Sequence, residues 1–460
     1  MSAGVTIDNI KTAPAKLKAS KYNISVLEKP NNYLLLNTRT TAALKIHDSN
    51  LMPVYHALLD TKAPFNMNLD NECIEFLLSN GFIVPEDFDE IKWLEGIHWK
   101  ARNGSKALGI GVIVTLACNF RCTYCYQRHP NIHLTRQMEE AIFRYVLNNL
   151  DGRSLLKISW FGGEPLLRLK TIQRLGFALI DLCHKHGVVC DASITTNGFL
   201  LSREIDSILK QVGVSDIQIT LDGPPAIHDR RRLLANGSST FYRILDNLFE
   251  ATEMFSGIVV RINIDKRNQK EIPQLLEKFL YPLRHKIVLA FRATQPSGWE
   301  EDQGSWCIPP NKYRGLSKDL NSLADKLDYR TVGGYTVPGT SYCAGYQLNS
   351  INIDPYGDIS RCVRCIGKRD LRYGSLNVNG QVEVQEGLQH RWDCWSPFSD
   401  DDCRKCKTLP LCMGGCLLLI GNGKRKENSL RCLLKHDLIR GILRDIELNE
   451  WLDLGHYIDN

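Results

Sequence analysis

The chain has no uninterrupted apolar run of about 18 residues, so no segment reads as a bilayer-spanning helix. Its first stretch, residues 1–20, is polar and lysine-bearing and lacks the apolar core of a secretory signal. No charge of one sign dominates. With 57 basic and 51 acidic residues the net charge is +6, too mild to argue for nucleic acid as the main partner. The dense cysteine framework of a short secreted domain is also missing. Sixteen cysteines are spread through 460 residues, and in so long a chain they argue for metal rather than for disulfides. These absences predict a reduced, cytoplasmic, oxygen-sensitive protein with neither a membrane nor a nucleic acid as partner. What is present, 43% hydrophobic and 23% charged residues, suits a soluble globular chain of about two to four domains.

The stretch Cys118-Asn-Phe-Arg-Cys122-Thr-Tyr124-Cys125 is the centre of the chain. It places three thiols at offsets of four and three on one short loop. The apolar run before it, 110–116, reads as a buried strand. A loop leaving a strand end can fold back so that three sulfurs face one point. Three thiolates where an iron-sulfur cluster usually has four leave one iron open to another ligand. A zinc knuckle is the alternative, but zinc normally takes four protein ligands in a closed site.

From 106 to about 295 six strand-like runs alternate with amphipathic helices: 110–116, 155–161, 189–195, 216–221, 258–264 and 287–293. Between the first two, 135–150 carries Met138, Ile142, Tyr145, Val146 and Leu150 on one stripe, with Thr135 as N-cap. Phe241, Ile244, Leu245, Leu248 and Phe255 mark a second such helix. The alternation predicts parallel strands joined by right-handed crossovers. Six units suggest an open, partial (β/α)6 barrel with its chemistry at the C-terminal strand ends. The turns fall there. Gly162-Gly163-Glu164-Pro165 follows the second run, where backbone can approach a ligand and a carboxylate can accept from an ammonium. Thr195-Thr196-Asn197-Gly198 follows the third, and Thr220-Leu221-Asp222-Gly223-Pro224 the fourth, with His228, Asp229 and Arg232 beyond. Singly each reads as a tight strand-to-helix turn.

Before the barrel, residues 22–93 read as β-β-α-α-α-β. The strands are 25–28 and 33–37, the helical segments 41–46, 52–59 and 70–80, and 82–84 returns as a strand. Cys73 on the third helix, and Cys183 and Cys190 farther on, read as core. Beyond the barrel the cysteines crowd: Cys343, Cys362, Cys365, Cys394, Cys403-x-x-Cys406, Cys412, Cys416 and Cys432. Two zinc ribbons built on the 362/365 and 403/406 pairs are an alternative there.

The cysteine triplet with an aromatic before its last member, followed by these turns after successive strands, resembles the radical S-adenosylmethionine enzymes. The C-terminal string resembles the SPASM extension, which holds two auxiliary clusters. The 22–93 pattern resembles the winged-helix-like peptide-recognition domain fused to enzymes that modify ribosomally made peptides. The resemblance implies an α/β fold divided into a flexible arm (1–21), a leader-recognition domain (22–105), a partial barrel (106–300), a bridge (301–342), a cysteine-rich domain (343–440) and a tail (441–460). It implies three [4Fe-4S] clusters and S-adenosylmethionine, whose reductive cleavage yields a 5'-deoxyadenosyl radical. Cys118, Cys122 and Cys125 would hold the cluster that performs the cleavage. Cys403, Cys406, Cys412 and Cys432 would hold the outer auxiliary cluster, and Cys343, Cys362 and Cys416 the inner one. Its fourth ligand would be Cys365, Cys307 or Cys394, or an iron would stay open, because relatives often have two cysteines where this chain has only Cys343. Tyr124 would lie near the adenine. Gly162, Gly163 and Glu164 would take the methionine amino group, and Thr220 and Arg232 the ribose or carboxylate region, with Asn197 beside them. Asp222 and Gly223 read as shaping the turn and His228 as structural, satisfied by Asp229 and the neighbouring arginines. No residue stands out as a catalytic base. The partners implied are a precursor peptide with a leader and a one-electron donor such as a flavodoxin or ferredoxin. The expected product is an intramolecular thioether, carbon–carbon or ether crosslink. The alternatives are an anaerobic sulfatase-maturating enzyme, which makes formylglycine from Cys or Ser, and a zinc-stabilised, non-catalytic peptide-binding protein.

Overall fold

Residue alternation writes the central sheet. In β12 (Gly257–Ile264), Ile258, Val260 and Ile262 are wholly buried under helices, while Val259 and Arg261 between them keep exposure on the opposite face. The computed structural model describes residues 16–29, 32–46, 49–104, 106–295, 305–332, 343–385, 390–419 and 452–453. They divide into two compact units, one of residues 1–102, 333–343 and 395–460, the other of 103–332 and 344–394.

The first unit opens with β1 (Leu17–Ala19), inside the stretch expected to be an arm. It continues with β2 (Asn23–Lys29), β3 (Asn32–Asn37), β4 (Ala43–Ile46), α1 (Met52–Leu59), α2 (Asn71–Ser79), β5 (Ile83–Pro85) and α3 (Glu90–Asn103). Residues 41–46, expected to be helical, are instead the strand β4. Asn37 and Ala42 close a hairpin in which Thr41 takes φ of 63°, and the turn returns the chain along β3. Its buried Leu44 and Ile46 then pack with Val54 and Leu58 of α1 and Leu77 of α2 in one core. Asp70 caps α2 by accepting from the Cys73 amide at 2.7 Å. Cys73 is fully buried in this core, and burial pushes its thiol up to about 11. Later in the chain, α11 (Asp401–Arg404), α12 (Leu409–Cys412) and β19 (Leu452–Asp453) belong to the same unit. β19 pairs in parallel with β4, so the sheet order is β19-β4-β3-β2.

The second unit contains β6 (Ala107–Thr115), β7 (Phe120–Cys122), α4 (Arg136–Asn149), β8 (Leu155–Gly162), α5 (Leu169–Lys185), β9 (Val189–Thr196), α6 (Arg203–Gln211) and β10 (Val214–Thr220). Then come α7 (Pro225–Arg231), β11 (Arg232–Leu234), α8 (Phe241–Ala251), β12, the short turn α9 (Ile272–Gln274), β13 (Ile287–Ala293), α10 (Pro310–Lys326) and β14 (Arg330–Thr331). Thr135 caps α4, accepting from the Met138 amide at 3.2 Å, and Ile142, Tyr145 and Val146 are buried as their spacing requires. The sheet order β14-β13-β12-β10-β9-β8-β6 is parallel throughout and carries the six expected strands as neighbours, so the partial (β/α)6 barrel is the observed architecture. Beyond β6 the sheet continues. β15 (Ser350–Ile353) pairs in parallel with β6, and β16 (Asp358–Ser360), β17 (Gly374–Leu376) and β18 (Val382–Val384) follow antiparallel. The boundary expected at 343 therefore does not separate compact units: 344–394 extends the barrel sheet, and 395 onward belongs with the N-terminal residues. Residues 1–15, 420–451 and 454–460, which include Cys432 and most of the expected tail, lie outside the described residues.

Candidate active site

The loop after β6 is held on both flanks by backbone pairing. On one side Leu116 N donates to Ile132 O, Gly163 N to Thr115 O and Glu164 N to Ala117 O, each at 2.9 Å. On the other, β7 zips antiparallel to β11, with Cys122 opposite Arg232 and Phe120 opposite Leu234. Thr123 N to Arg231 O (2.9 Å) and Ala235 N to Asn119 O (2.7 Å) extend that ladder. Phe120 is fully buried, edge-on to Phe199 at 5.9 Å and under the Arg232 guanidinium at 5.6 Å, and so anchors the loop. Between these anchors Cys118, Cys122 and Cys125 keep partial exposure.

The three thiols act on one another electrostatically. Burial pushes Cys118 up to about 12, opposed by the Phe120 amide donating to its sulfur at 3.4 Å, with Glu164, Cys122 and Cys125 pushing further upward. Burial lifts Cys122 to about 11 against Arg232, and lifts Cys125 against the Gln127 amide and Arg232. Among the described residues no three Cys, His, Asp or Glu side chains are gathered tightly enough to hold a single metal ion. A cubane cluster asks for a wider set, because each thiolate binds its own iron. Three part-exposed thiols on one fastened loop, beside a buried guanidinium and with a backbone N–H already on sulfur, fit such a group. The protons these thiols carry would be released as it binds.

Gly162 and Gly163 are required by close approach. Gly162 has φ of 152°, and a Cβ at either position would run into the backbone oxygens of Thr115 and Ala117. Glu164 is fully buried. Its Oε1 accepts from Leu166 N (3.0 Å) and Thr196 Oγ1 (2.7 Å), and its Oε2 from Asn197 N (2.7 Å). Burial raises its carboxyl and these donors oppose it. It braces the ends of β8 and β9, and of about four lone-pair positions one, on Oε2, remains for an ammonium. Asn197 ties β9 to the cysteine loop, its Nδ2 donating to Asn119 Oδ1 at 2.8 Å. Thr220 ends β10, and its hydroxyl has no partner among the described residues.

Tyr124 sits in a network that motif reading missed. Its phenol donates to Asp222 Oδ2 and accepts from Arg232 (2.8 Å) and Asn263 Nδ2 (3.2 Å), and Arg231 lies 5.0 Å over its ring. Asp222 also accepts from Asn263 N at 2.9 Å, and Arg231 pairs with Asp265 at 2.7 Å. Asp222 thus does more than shape a turn: it joins the ends of β10 and β12 to the cysteine loop. Burial works against the charge on Arg232, but Tyr124, Cys122 and Asp222 outweigh it and hold the guanidinium firmly cationic. His228 accepts from Asp222 N (3.3 Å) and meets Thr240 Oγ1 (3.2 Å). Asp229, the partner expected for it, instead caps α8 through Thr240 N and Phe241 N. Burial and then Arg232 and Arg231 hold His228 neutral. Asn268 Nδ2 donates to Asp222 O (2.7 Å) and Asn263 O (2.9 Å), and Arg231, Asn263, Asp265 and Asn268 had no sequence signal of their own.

Of the later cysteines, Cys362 and Cys365 share one turn, with Cys365 N on Cys362 O at 2.9 Å. Ile366 beside them packs on Ile113 and Leu116, against the start of the cysteine loop. A hydrogen bond from Cys365 leads in drawing Cys362 down to about 6. In the other unit Cys403 and Cys406 share a turn capped by Asp400, and Cys406 Sγ lies 3.1 Å from Thr408 Oγ1. Cys412 ends α12, Cys416 is half-buried and Cys343 is exposed. Cys307 is half-buried and Cys394 exposed. Cys183 and Cys190 are hydrogen-bonded to each other, the first buried and the second part-exposed.

The model of the Radical SAM superfamily matches residues 112–279, from β6 through α9. The mycofactocin maturase MftC of Mycobacterium tuberculosis is 26% identical over 321 residues, covering 66% of this chain and 76% of its own length. Streptococcus suis SuiB bound to its precursor peptide SuiA superposes with a TM-score of 0.53 at 16% identity, covering 90% of this chain and 98% of that one. Native anSMEcpe with bound S-adenosylmethionine and the Kp18Cys peptide gives a TM-score of 0.58 at 19% identity, covering 74% of this chain and 97% of that one. The two structural likenesses are likenesses of fold. No helix among the described residues is long and apolar enough to cross a membrane.

Proposed function

Because the chain belongs to the radical S-adenosylmethionine superfamily, we propose that it is a peptide maturase that installs an intramolecular crosslink, of thioether, carbon–carbon or ether type, in a ribosomally made precursor. The observation that carries this reading is the cysteine loop, fastened between the Gly162–Glu164 turn and β11 at the C-terminal ends of the barrel strands. When bound, a [4Fe-4S] cluster and S-adenosylmethionine supply the one-electron cleavage that yields a hydrogen-abstracting radical, chemistry that is the cofactor's own. Cys118, Cys122 and Cys125 would hold that cluster. Glu164 would offer its remaining lone pair to the methionine ammonium, Thr220 and Arg232 would take the ribose or carboxylate region, and Tyr124 would lie near the adenine.

Closing a crosslink removes two hydrogens from the peptide. One leaves to the radical. The other would leave as a proton, with an electron that auxiliary clusters would accept if the C-terminal cysteines hold them, and a flavodoxin or ferredoxin would supply the electron for the first step. The leader is read by the first unit. One edge of its small sheet is already paired by β19, so β2 is the edge without a neighbour among the described residues, and an extended peptide adds there as a further strand. SuiB, whose likeness extends over more of this chain than that of anSMEcpe, favours a peptide maturase over a sulfatase-maturating enzyme.

The test uses anaerobically loaded enzyme and, as candidate precursor, any short peptide encoded beside its gene. Mass spectrometry should find a peptide lighter by a pair of hydrogens, together with 5'-deoxyadenosine. The variant with Cys118, Cys122 and Cys125 all changed to Ala should make neither while keeping its other irons. 5'-Deoxyadenosine from that variant would remove the central claim.

A further inference from the structure

The accessible face of the barrel sheet carries two arginines with no acid beside them. In the ladder Thr220 lies opposite Arg261, Arg261 opposite Ala290, and Asn263 opposite Arg292. Partners across a parallel ladder share a face, so Thr220, Arg261 and Arg292 line one side at the strand ends. The intervening Val260, Ile262 and Leu289 are wholly buried on the other side. Both arginines are half-buried. Arg261 spends its Nε on Asn263 Oδ1 (2.8 Å) and Arg292 one nitrogen on Phe291 O (2.8 Å).

Neither forms an ion pair among the described residues. The acid that acts on Arg261, Asp222, is taken by Tyr124, Asn263 and Arg231. Burial, then Arg292, push Arg261 below the usual guanidinium range, as expected of two like charges held together without a counter-ion. Other arginines of this unit are answered by acids, Arg231 at the end of α7 by Asp265 and Arg174 within α5 by Glu139. A planar fork with free N–H groups, doubled and uncompensated beside the unpartnered hydroxyl of Thr220, is built to receive a carboxylate.

We propose that Arg261 and Arg292 form a carboxylate clamp that seats the peptide substrate through an acidic group next to the residue being modified. The acid is an Asp or Glu side chain or the peptide's own C-terminus. The clamp rests on the reading of the barrel mouth as the place where a peptide is modified. It adds that this peptide carries a negative charge there, and that the enzyme discriminates against its amide.

Two experiments test it. The first needs no turnover. Iron-loaded enzyme is treated with phenylglyoxal, and modification of Arg261 and Arg292 is read by mass spectrometry in the presence of N-acetylglutamate, N-acetylglutamine or S-adenosylmethionine. N-acetylglutamate should protect both arginines and N-acetylglutamine should not. Protection by S-adenosylmethionine alone would overturn the clamp, because the arginines would then hold the cofactor's carboxylate. The second uses the neighbouring precursor with each Asp and Glu changed in turn to its amide, and separately with an amidated C-terminus. One member should lose about 10–100-fold in kcat/KM with wild type. The doubly substituted Arg261→Gln, Arg292→Gln enzyme should treat that member and the parent peptide alike. A flat series with an active wild type overturns the clamp. If wild type modifies no member, the maturase reading falls, and the protection experiment still decides the clamp.

Discussion

Tyr124 fills every hydrogen-bonding position of its phenol: one proton donated to Asp222 and two lone pairs taken by Arg232 and Asn263. Tyr124→Phe leaves three buried or half-buried groups each one partner short. Chemical denaturation should show a loss of about 1–3 kcal/mol, more than the removal of a surface hydroxyl would bring. Asp206 makes the opposite case. It lies wholly buried on α6, with neither carboxylate oxygen hydrogen-bonded among the described residues. Burial, aided by Glu250, lifts its carboxyl to about 6, above the ~3.9 of an unfolded chain. Between those values the folded protein holds a proton that the unfolded chain has released, so stability falls as pH rises through this window. Asp206→Asn should therefore stabilise by about 1–3 kcal/mol at pH 7, and by little near pH 4. A gain equal at both pH values would show that the carboxyl does not titrate in this range. Glu164, Asn197 and Thr220 were legible as candidates because each sits in a turn following a recognisable strand. Asp265 and Asn268 were not, because a single polar residue at a strand end carries no periodicity and its partner lies tens of residues away.

Among elements, the six barrel strands were readable because each alternates or runs apolar over seven to nine residues between turn signals. The β7–β11 ladder was not, since two three-residue strands joined across a long separation leave no local pattern. The strand β4 was misread as helix because Ala-Ala-Leu-Lys-Ile suits a helix by propensity, and only the Asn37–Ala42 hairpin turns it into sheet. The loop between β6 and β7 therefore depends on elements the motif does not contain. Gly163→Ala drives a Cβ into the carbonyls of Leu116 and Ala117, which are backbone and cannot step aside. Overpacking of that kind costs about 1–3 kcal/mol. The strain falls on the loop itself, so anaerobic reconstitution of this variant should lose about four irons, one cluster's worth, with the remainder retained. An unchanged iron count would mean that the loop tolerates displacement and that the glycine serves only a ligand's approach.

At the scale of the whole chain, the described cysteine-rich residues 395–419 belong to one compact unit with the N-terminal residues. Tyr22, Ile91 and Leu94 make one apolar cluster with Phe398, Cys403, Leu409 and Met413. Around it Arg102 donates to Trp395 O at 2.9 Å, Lys21 to Arg404 O at 2.8 Å and Lys407 to Asn23 O at 3.0 Å. A boundary drawn from cysteine spacing could not foresee this, because α3 meets a segment some three hundred residues later and leaves no trace in either local pattern. If residues 1–102 served only to read a leader, their removal would leave every iron in place and abolish only the modification of full-length precursor. The packing leads to a different expectation. Without Tyr22, Ile91 and Leu94, the turn holding Cys403 and Cys406 loses the surface it is built on, and the auxiliary cluster proposed there would lose its site with that folding. A protein beginning at residue 103 should keep about four irons at Cys118, Cys122 and Cys125 and lose those of the C-terminal cysteines. Leu94→Ala, which removes about 2–5 kcal/mol from the same cluster, should do so by degrees: under a chelator, iron at the C-terminal cysteines should leave faster than in wild type, with the barrel iron leaving no faster. Full iron retention in the truncated protein would separate the N-terminal residues from cluster assembly and return them to peptide recognition alone.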